Sequence, residues 1–282
     1  FTVVASDGTL SSNQDVVVSV IDLNDNTAVI SSGATGTVNE NADTTTVIYT
    51  AAATDADGTS AHNTLSYSLT GADADLLTIN ATTGEVRLKN AADYESKASY
   101  SFTVVASDGT LSSNQDVVVS VIDFNDNTAV ISSGATGTVN ENAATDTVIY
   151  TAAATDADGT SAHNTLSYSL TGADADLLTI NATTGEVRLK NAADYESKAS
   201  YSFTVVASDG TLSSNQDVVV SVIDLNDNTA VISSGATGTV NENADTTTVI
   251  YTAAATDADG TSAHNTLSYS LTGADADLLT IN

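Results

Sequence analysis

The chain has 282 residues, with 36 acidic against 6 basic side chains, a formal charge of −30 and 41% hydrophobic content, and it contains no Cys, Met, Pro or Trp. So anionic a balance argues against nucleic acid and anionic membrane surfaces as partners, and the absence of cysteine removes disulfides and thiolate metal sites. No apolar run approaches the ~18 residues of a membrane span, and regular Val, Ile and Leu alternation sets the chain apart from disordered acidic sequences.

The sequence repeats. Phe1-Thr2-Val3-Val4-Ala5-Ser6-Asp7-Gly8 returns at Phe102 and again at Phe203, a period of 101 residues. Residues 27–127 and 128–228 differ at three positions only: Asp43 against Ala144, Thr45 against Asp146, and Phe124 against Leu225. Such copies suit a rod, a spacer or a multivalent binder better than a catalyst. With this period, residues 1–26 hold the last two strands of a partial repeat, 27–127 and 128–228 are complete repeats, and 229–282 is the first part of a truncated one. The chain then reads as a window onto a longer array. The alternative is a fibre in which 1–26 of one copy completes 229–282 of the next by strand addition.

In chain order, one repeat offers apolar or alternating segments at 28–30 with 36–38, then 46–50, 65–69, 76–79, 85–88, 100–106 and 117–122. Gly, Asn, Asp and Ser separate them. Seven strands in about 100 residues predict an all-β fold, an antiparallel sandwich with Greek-key connections. Ala51-Ala52-Ala53 is too short to nucleate a helix. Tyr49, Tyr67, Tyr94 and Tyr100 are expected to cover the core with their hydroxyls in water.

Repeat 27–127 carries thirteen acids and three bases, and the acids gather where strands end: at 39–41, 55–57, 93–95, 108 and 123–127. Hard oxygen ligands drawn from several loops are what calcium requires, six to eight oxygens per ion. Asp55-Ala56-Asp57-Gly58 begins like an EF-hand loop, but the twelfth position is Ser66, where a bidentate glutamate is needed. His62 is the single histidine of its repeat, so zinc is not supported. No G-x-S-x-G or P-loop occurs, and no enzyme is expected. Asn80-Ala81-Thr82 is a formal N-glycosylation sequon.

Taken in order, Val38-Asn39-Glu40-Asn41-Ala42, Asp55-Ala56-Asp57 with Asn63, Asp93-Tyr94-Glu95, Asp108 and Asp123-Phe124-Asn125-Asp126-Asn127 resemble the cadherin repeat, specifically the bacterial cadherin-like repeats of large surface adhesins. The resemblance implies three calcium ions at each joint between repeats, held by the upstream glutamates and D-x-E, the linker, and the downstream D-x-D, asparagine and aspartate. At the joint after 27–127 the implied ligands are Glu40, Asp93, Glu95, Asp123, Asn125 and Asp126 with Asp156, Asp158, Asn164 and Asp209. For the first joint they are Asp22, Asn24, Asp25, Asp55, Asp57, Asn63 and Asp108. The last has Glu141, Asp194, Glu196, Asp224, Asn226, Asp227, Asp257, Asp259 and Asn265, and Glu242 stands where the following joint would begin. Asp73-Ala74-Asp75 matches no position of the family and is expected to be a solvated loop.

The implied function is a calcium-stiffened extender of an extracellular bacterial surface or secreted adhesin, a structural rod for cell adhesion or biofilm. The rival is a filament-forming subunit, or a multivalent glycan or homophilic binding module. Calcium and neighbouring repeats are the expected partners, with head-to-tail or lateral self-association as a further option. The lack of an exchangeable tryptophan argues against homophilic strand exchange of the animal kind.

Overall fold

A computed structural model describes all 282 residues. The chain divides into two units, 1–124 and 125–282, and each is taken in turn.

The first unit opens with a hairpin of β1 (Thr2–Ser6) and β2 (Ser11–Asp15). The complete repeat follows as β3 (Val29–Ile30), β4 (Thr35–Asn39), β5 (Tyr49–Thr50), β6 (Ala53–Thr54), the one-turn helix α1 (Ser60–Asn63), β7 (Ser66–Thr70), a 3-10 turn at Ala74–Leu76, β8 (Leu77–Ile79), β9 (Glu85–Leu88), β10 (Ser99–Ser107) and β11 (Ser112–Ile122). One sheet runs β4-β11-β10-β7; the other is β5-β9-β8, and β3 pairs with β6. The first strand of the repeat is thus split: β3 runs antiparallel to β6, while β4 crosses to the opposite sheet and runs parallel to β11. This is the all-β Greek-key sandwich that the alternating pattern predicts.

Alternation fills the space between the sheets. Phe102, Val104 and Ala106 on β10 and Val117, Val119 and Val121 on β11 are buried, with Val86 and Leu88 opposite them on β9. Each buried aliphatic side chain contributes roughly 1.5–3 kcal/mol before entropy is counted. Tyr49 packs edge-on to Phe102 with ring centroids 5.9 Å apart at 78°. Contrary to the expectation from the sequence, its hydroxyl is bonded within the protein and not left to water. It donates to the Gly33 carbonyl at 2.6 Å and lies 2.7 Å from Ser32 Oγ, while the Tyr67 hydroxyl accepts the Ala53 N–H at 3.0 Å. Gly84 closes the turn between β8 and β9 at φ +71, where a Cβ would overlap the Ala51 carbonyl oxygen.

Two expected strands change length for local reasons. The segment 46–50 shortens to Tyr49–Thr50, because the Asp43 carbonyl accepts the Thr46 N–H at 3.0 Å and holds a turn, as the Ala144 carbonyl does for Thr147 in the second repeat. The last strand begins at Ser112, five residues before the apolar run. Its polar half pairs residue by residue with β10, and Thr103 Oγ1 donates to Asp116 Oδ1 at 2.7 Å.

Asp73 is not a solvated loop residue either. Its Oδ2 accepts the Ser101 N–H at 2.7 Å, its Oδ1 lies 3.0 Å from Lys97 Nζ, and Lys97 sits 5.6 Å from the Tyr100 ring centroid. The Ser101 N–H and then Lys97 hold the carboxyl below the usual carboxylate range.

The second unit repeats this design: β12 (Val130–Ile131), β13 (Thr136–Asn140), β14 (Tyr150–Thr151), β15 (Ala154–Thr155), β16 (Ser167–Thr171), β17 (Leu178–Ile180), β18 (Glu186–Leu189), β19 (Ser200–Ser208) and β20 (Ser213–Ile223). Its sheets are β13-β20-β19-β16 and β14-β18-β17, with β12 paired to β15. Residues 229–282 form two strands, β21 (Val231–Ile232) and β22 (Ala255–Thr256), which pair with each other, and a 3-10 turn at Ala276–Leu278. The segments that correspond to β13 and β16 stay irregular there, since in the complete repeat they hydrogen-bond to β20 and β19, for which residues 229–282 hold no counterparts. Val240 is accordingly 56% exposed where Val139 is 5%. At the other end, Val20 is 95% exposed where Val121 is 5%.

Phe102→Ala should lower the unfolding free energy of repeat 27–127 by about 3–5 kcal/mol, adding an early transition in urea while repeat 128–228 unfolds as before; one unshifted transition would contradict the core as described. The Asp73 brace should act at neutral pH and fade as pH falls through and below the ordinary carboxylate range, because its folded-state pKa is depressed. Thermal melts of Asp73→Asn should therefore be less acid-sensitive than those of the parent, and equal sensitivity would show that the brace does not contribute to stability.

Candidate metal centre

Acidic side chains meet at three places lying wholly inside one unit or the other. In the first unit Asp55 and Asp57 follow β6 and Asp108 follows β10, and one carboxylate oxygen from each lies within 4.8 Å of the others. Backbone geometry aims them. Asp55 Oδ1 accepts the Asp57 N–H at 3.0 Å, and Asp108 Oδ1 accepts the Thr110 and Leu111 N–H groups at 2.7 and 2.8 Å. The Leu111 and Thr110 donors hold Asp108 ionised by keeping its pKa below the usual range. That leaves Asp55 Oδ2, Asp108 Oδ2 and Asn24 Oδ1 buried without a hydrogen-bond partner.

The linker segment 22–26 is tied to the same loops. Asp22 Oδ2 accepts the Thr59 N–H and hydroxyl at 3.1 and 2.8 Å and lies 2.9 Å from His62 Nδ1. The Thr59 hydroxyl first and His62 second keep its pKa low. His62 is therefore a partner of the linker carboxylate on α1 rather than an isolated loop residue. Asn26 Nδ2 donates to Asp57 Oδ1 at 2.7 Å and to Asp25 Oδ1 at 3.0 Å, and Asn63 Nδ2 donates to the Asp57 carbonyl at 2.8 Å. Asn63 thus shapes the D-x-D loop through its amide nitrogen. At the end of the repeat, Glu40 is buried, its Oε2 accepting the Tyr94 N–H at 3.0 Å and its Oε1 accepting the Phe124 N–H. Asn41 next to it adopts φ 59, a left-handed turn that Asn tolerates. Asp93 spends both oxygens on Ser96, N–H and hydroxyl each at 2.9 Å.

In the second unit the same loop geometry recurs. Asp156, Asp158 and Asp209 offer oxygens within 4.8 Å of one another, and Asp156 Oδ2, Asp158 Oδ2, Asp209 Oδ2 and Asn125 Oδ1 are buried without a partner. Asn164 Nδ2 donates to the Asp158 carbonyl at 2.7 Å, and the Asn127 N–H and Nδ2 donate to Asp158 Oδ1 at 3.2 and 3.0 Å. Asp126 Oδ1 accepts Asn127 Nδ2 at 2.9 Å.

A third cluster joins Glu141, Glu196 and Asp224 within 4.8 Å. Glu141 bridges the Tyr195 N–H at 2.9 Å and the Leu225 N–H, and Asp224 takes the Thr261 N–H at 3.1 Å with His264 Nδ1 at 2.9 Å. Desolvation, with the neighbouring Glu141 and Asp224 carboxylates adding to it, pushes the Glu196 pKa up. The Asn228 N–H and Nδ2 both donate to Asp259 Oδ1 at 3.1 Å, Asp257 Oδ1 accepts the Asp259 N–H, and Asn265 Nδ2 donates to the Asp259 carbonyl. Asp224 Oδ1 and Asp259 Oδ2 remain buried and unpartnered. Asp227 bonds Asn142 and Asn228.

Some expected ligands join none of these three clusters. Asp194, like Asp93, caps a turn through Ser197. Asn226 is exposed, with no aspartate in 229–282 to face it as Asp108 faces Asn24, and Glu242 is exposed on the irregular segment. Glu95 and Asp123 belong to the far end of the first unit, the counterparts of Glu196 and Asp224 in the second. Sequence reading missed the roles of Thr59, Thr261, His62 and His264; the threonines carry no ligand pattern, and their one signal is adjacency to the D-x-D-G loop.

A donor set that is all oxygen, anionic and partly without donors fits a hard divalent cation and not zinc or a soft metal. The Cadherin domain profile matches residues 34–122 and 135–223. Human Protocadherin Fat 1 is 32% identical over 235 residues, 80% of this chain and 5% of that protein. Human Cadherin EGF LAG seven-pass G-type receptor 2 is 35% identical over 175 residues, 60% of this chain and 6% of the receptor. The chain therefore spans a small fraction of these relatives. Among solved structures, mouse Cadherin-23 EC22-24 superposes with a TM-score of 0.77 at 28% identity, covering 90% of this chain and 84% of that one. The chain belongs to the cadherin domain family.

Proposed function

We propose that the chain is a calcium-stiffened extender, a structural segment of an extracellular adhesion protein whose joints between repeats are held by bound calcium. The observation that carries this reading is the gathering of carboxylate oxygens within 4.8 Å at Asp55, Asp57 and Asp108 and again at Asp156, Asp158 and Asp209, where Asp55, Asp108, Asp156, Asp158 and Asp209 each keep one buried oxygen without a hydrogen-bond partner. Like charges so close repel by about 1 kcal/mol per pair in water and several-fold more at lower effective dielectric. Calcium takes six to eight oxygens at 2.3–2.6 Å and would turn that repulsion into attraction. In the first unit Asn24, Asp55, Asp57 and Asp108 would hold it, drawing linker and loops together. A non-catalytic role follows, because the carboxylates sit at strand ends and not in a cleft.

A bacterial surface or secreted adhesin, with a part in biofilm, is the finer form of the proposal. It rests on the sequence resemblance, and the relatives named above are animal proteins. A second reading, lateral association of repeats, draws support from the similarity to a protocadherin gammaB7 EC3-6 cis-dimer structure, 25% identical with a TM-score of 0.74.

Calorimetric titration of the chain with calcium should give saturable binding, and Asp108→Asn should weaken one site by about tenfold or more, the loss of one charged ligand. Asp75→Asn should leave the titration unchanged. An absent binding heat, or equal loss from both variants, would overturn the assignment. Chelation should broaden the pair-distance distribution in small-angle scattering while far-UV circular dichroism keeps its β signal; identical scattering with and without calcium would count against stiffening.

A further inference from the structure

Gly260 follows Asp259 in the D-A-D-G loop of the last segment. Its backbone conformation does not call for glycine, because its φ is not positive. Space does. A Cβ on Gly260 would lie 2.5 Å from Tyr195 Cδ1, closer still to Cε1 and 3.6 Å from Cζ. The Tyr195 ring therefore rests directly on the Gly260 backbone. At Gly58, in the same loop of the first unit, a Cβ would meet nothing nearer than Asp22 Oδ1 at 3.4 Å, an ordinary contact. No tyrosine lies against Gly58.

The neighbour of Tyr195 completes the contact. Glu196 Oε1 accepts the Gly260 N–H at 3.1 Å, and the Tyr195 N–H donates to buried Glu141 at 2.9 Å. The dipeptide 195–196 thus grips one glycine of the following segment twice, by ring on Cα and by carboxylate on N–H, and is itself anchored to the first strand of its own repeat. None of the ring contact uses charge, so it does not depend on a cation.

We propose that Tyr195 and Gly260 form a metal-independent docking contact between adjacent repeats, which pre-orients Glu196 and Asp259 before calcium arrives. This deepens the calcium reading and rests on it for the second half. Pre-orientation strengthens binding by removing part of the ordering cost from the binding step.

The chain has no native cysteine, so Thr179→Cys and Ser262→Cys can carry a pair of spin labels across the joint, read by pulsed electron paramagnetic resonance in the full chain. In chelator, Tyr195→Ala should broaden the distance distribution, Tyr195→Phe should not, and Gly260→Ala should broaden it by displacing the ring. Adding Gly260→Ala to Tyr195→Ala should cost nothing more, since the clash partner is gone. Both single alanine variants should raise the calcium midpoint at this joint by about three- to tenfold. Equal widths for parent and Tyr195→Ala in chelator, or an additive double variant, would overturn the contact. A parent whose distribution ignores calcium would instead overturn the calcium reading, while the widths in chelator still decide the contact.

Discussion

Carboxylates that cannot all be satisfied by protein donors govern the loops at the strand ends. Backbone N–H groups neutralise one oxygen of Asp108 and of Asp209, which keeps both ionised and fixes their aim. The second oxygen of each is buried and left without a donor. A fold selected for stability alone would replace such groups or bring a lysine to them. Lysines are present, yet they serve elsewhere: Lys97 and Lys198 brace Asp73 and Asp174 at 3.0 and 2.9 Å.

The sandwich supplies the packed frame that carries the loops. Its apolar core uses none of the candidate ligands, so the loops can carry unfavourable charge without weakening the inter-sheet packing. Splitting the first strand matters for the same reason. Because β4 runs parallel to β11, Asn39 pairs with Ile122 and the two strands end together. Glu40 and the linker therefore leave the sheet side by side, and the Glu40 N–H donates to the Ile122 carbonyl at 3.1 Å. Strand register alone brings an acid 84 positions away onto the linker amide of Phe124.

Much of this was legible in the sequence. Period-2 alternation marked β7, β9 and β10, and the clustering of Asp and Asn after β4, β6 and β11 and on either side of β10 pointed to the right loops. What stayed hidden was chemistry without periodicity. The polar half of β11 looks like a loop because Ser112 to Asp116 contain no large apolar residue, although it pairs fully with β10. Asp73 resembled a solvated residue because its partners Lys97 and Ser101 lie more than twenty positions away. Asp93 and Asp194 matched the family motif by spacing, but both oxygens are taken by serines three residues on. Glycine at 260 gave no signal at all, since only the approach of Tyr195 distinguishes it from a routine turn residue.

The proposed calcium joints require a hard cation in the clusters at strand ends. Crystals grown in calcium, with an anomalous difference map collected at long wavelength, test it most directly. Peaks among Asp55, Asp57 and Asp108 and among Asp156, Asp158 and Asp209, with oxygens at about 2.3–2.6 Å, are the predicted result. A map without peaks there, or with its strongest peak beside Asp73 and Asp75, would contradict it.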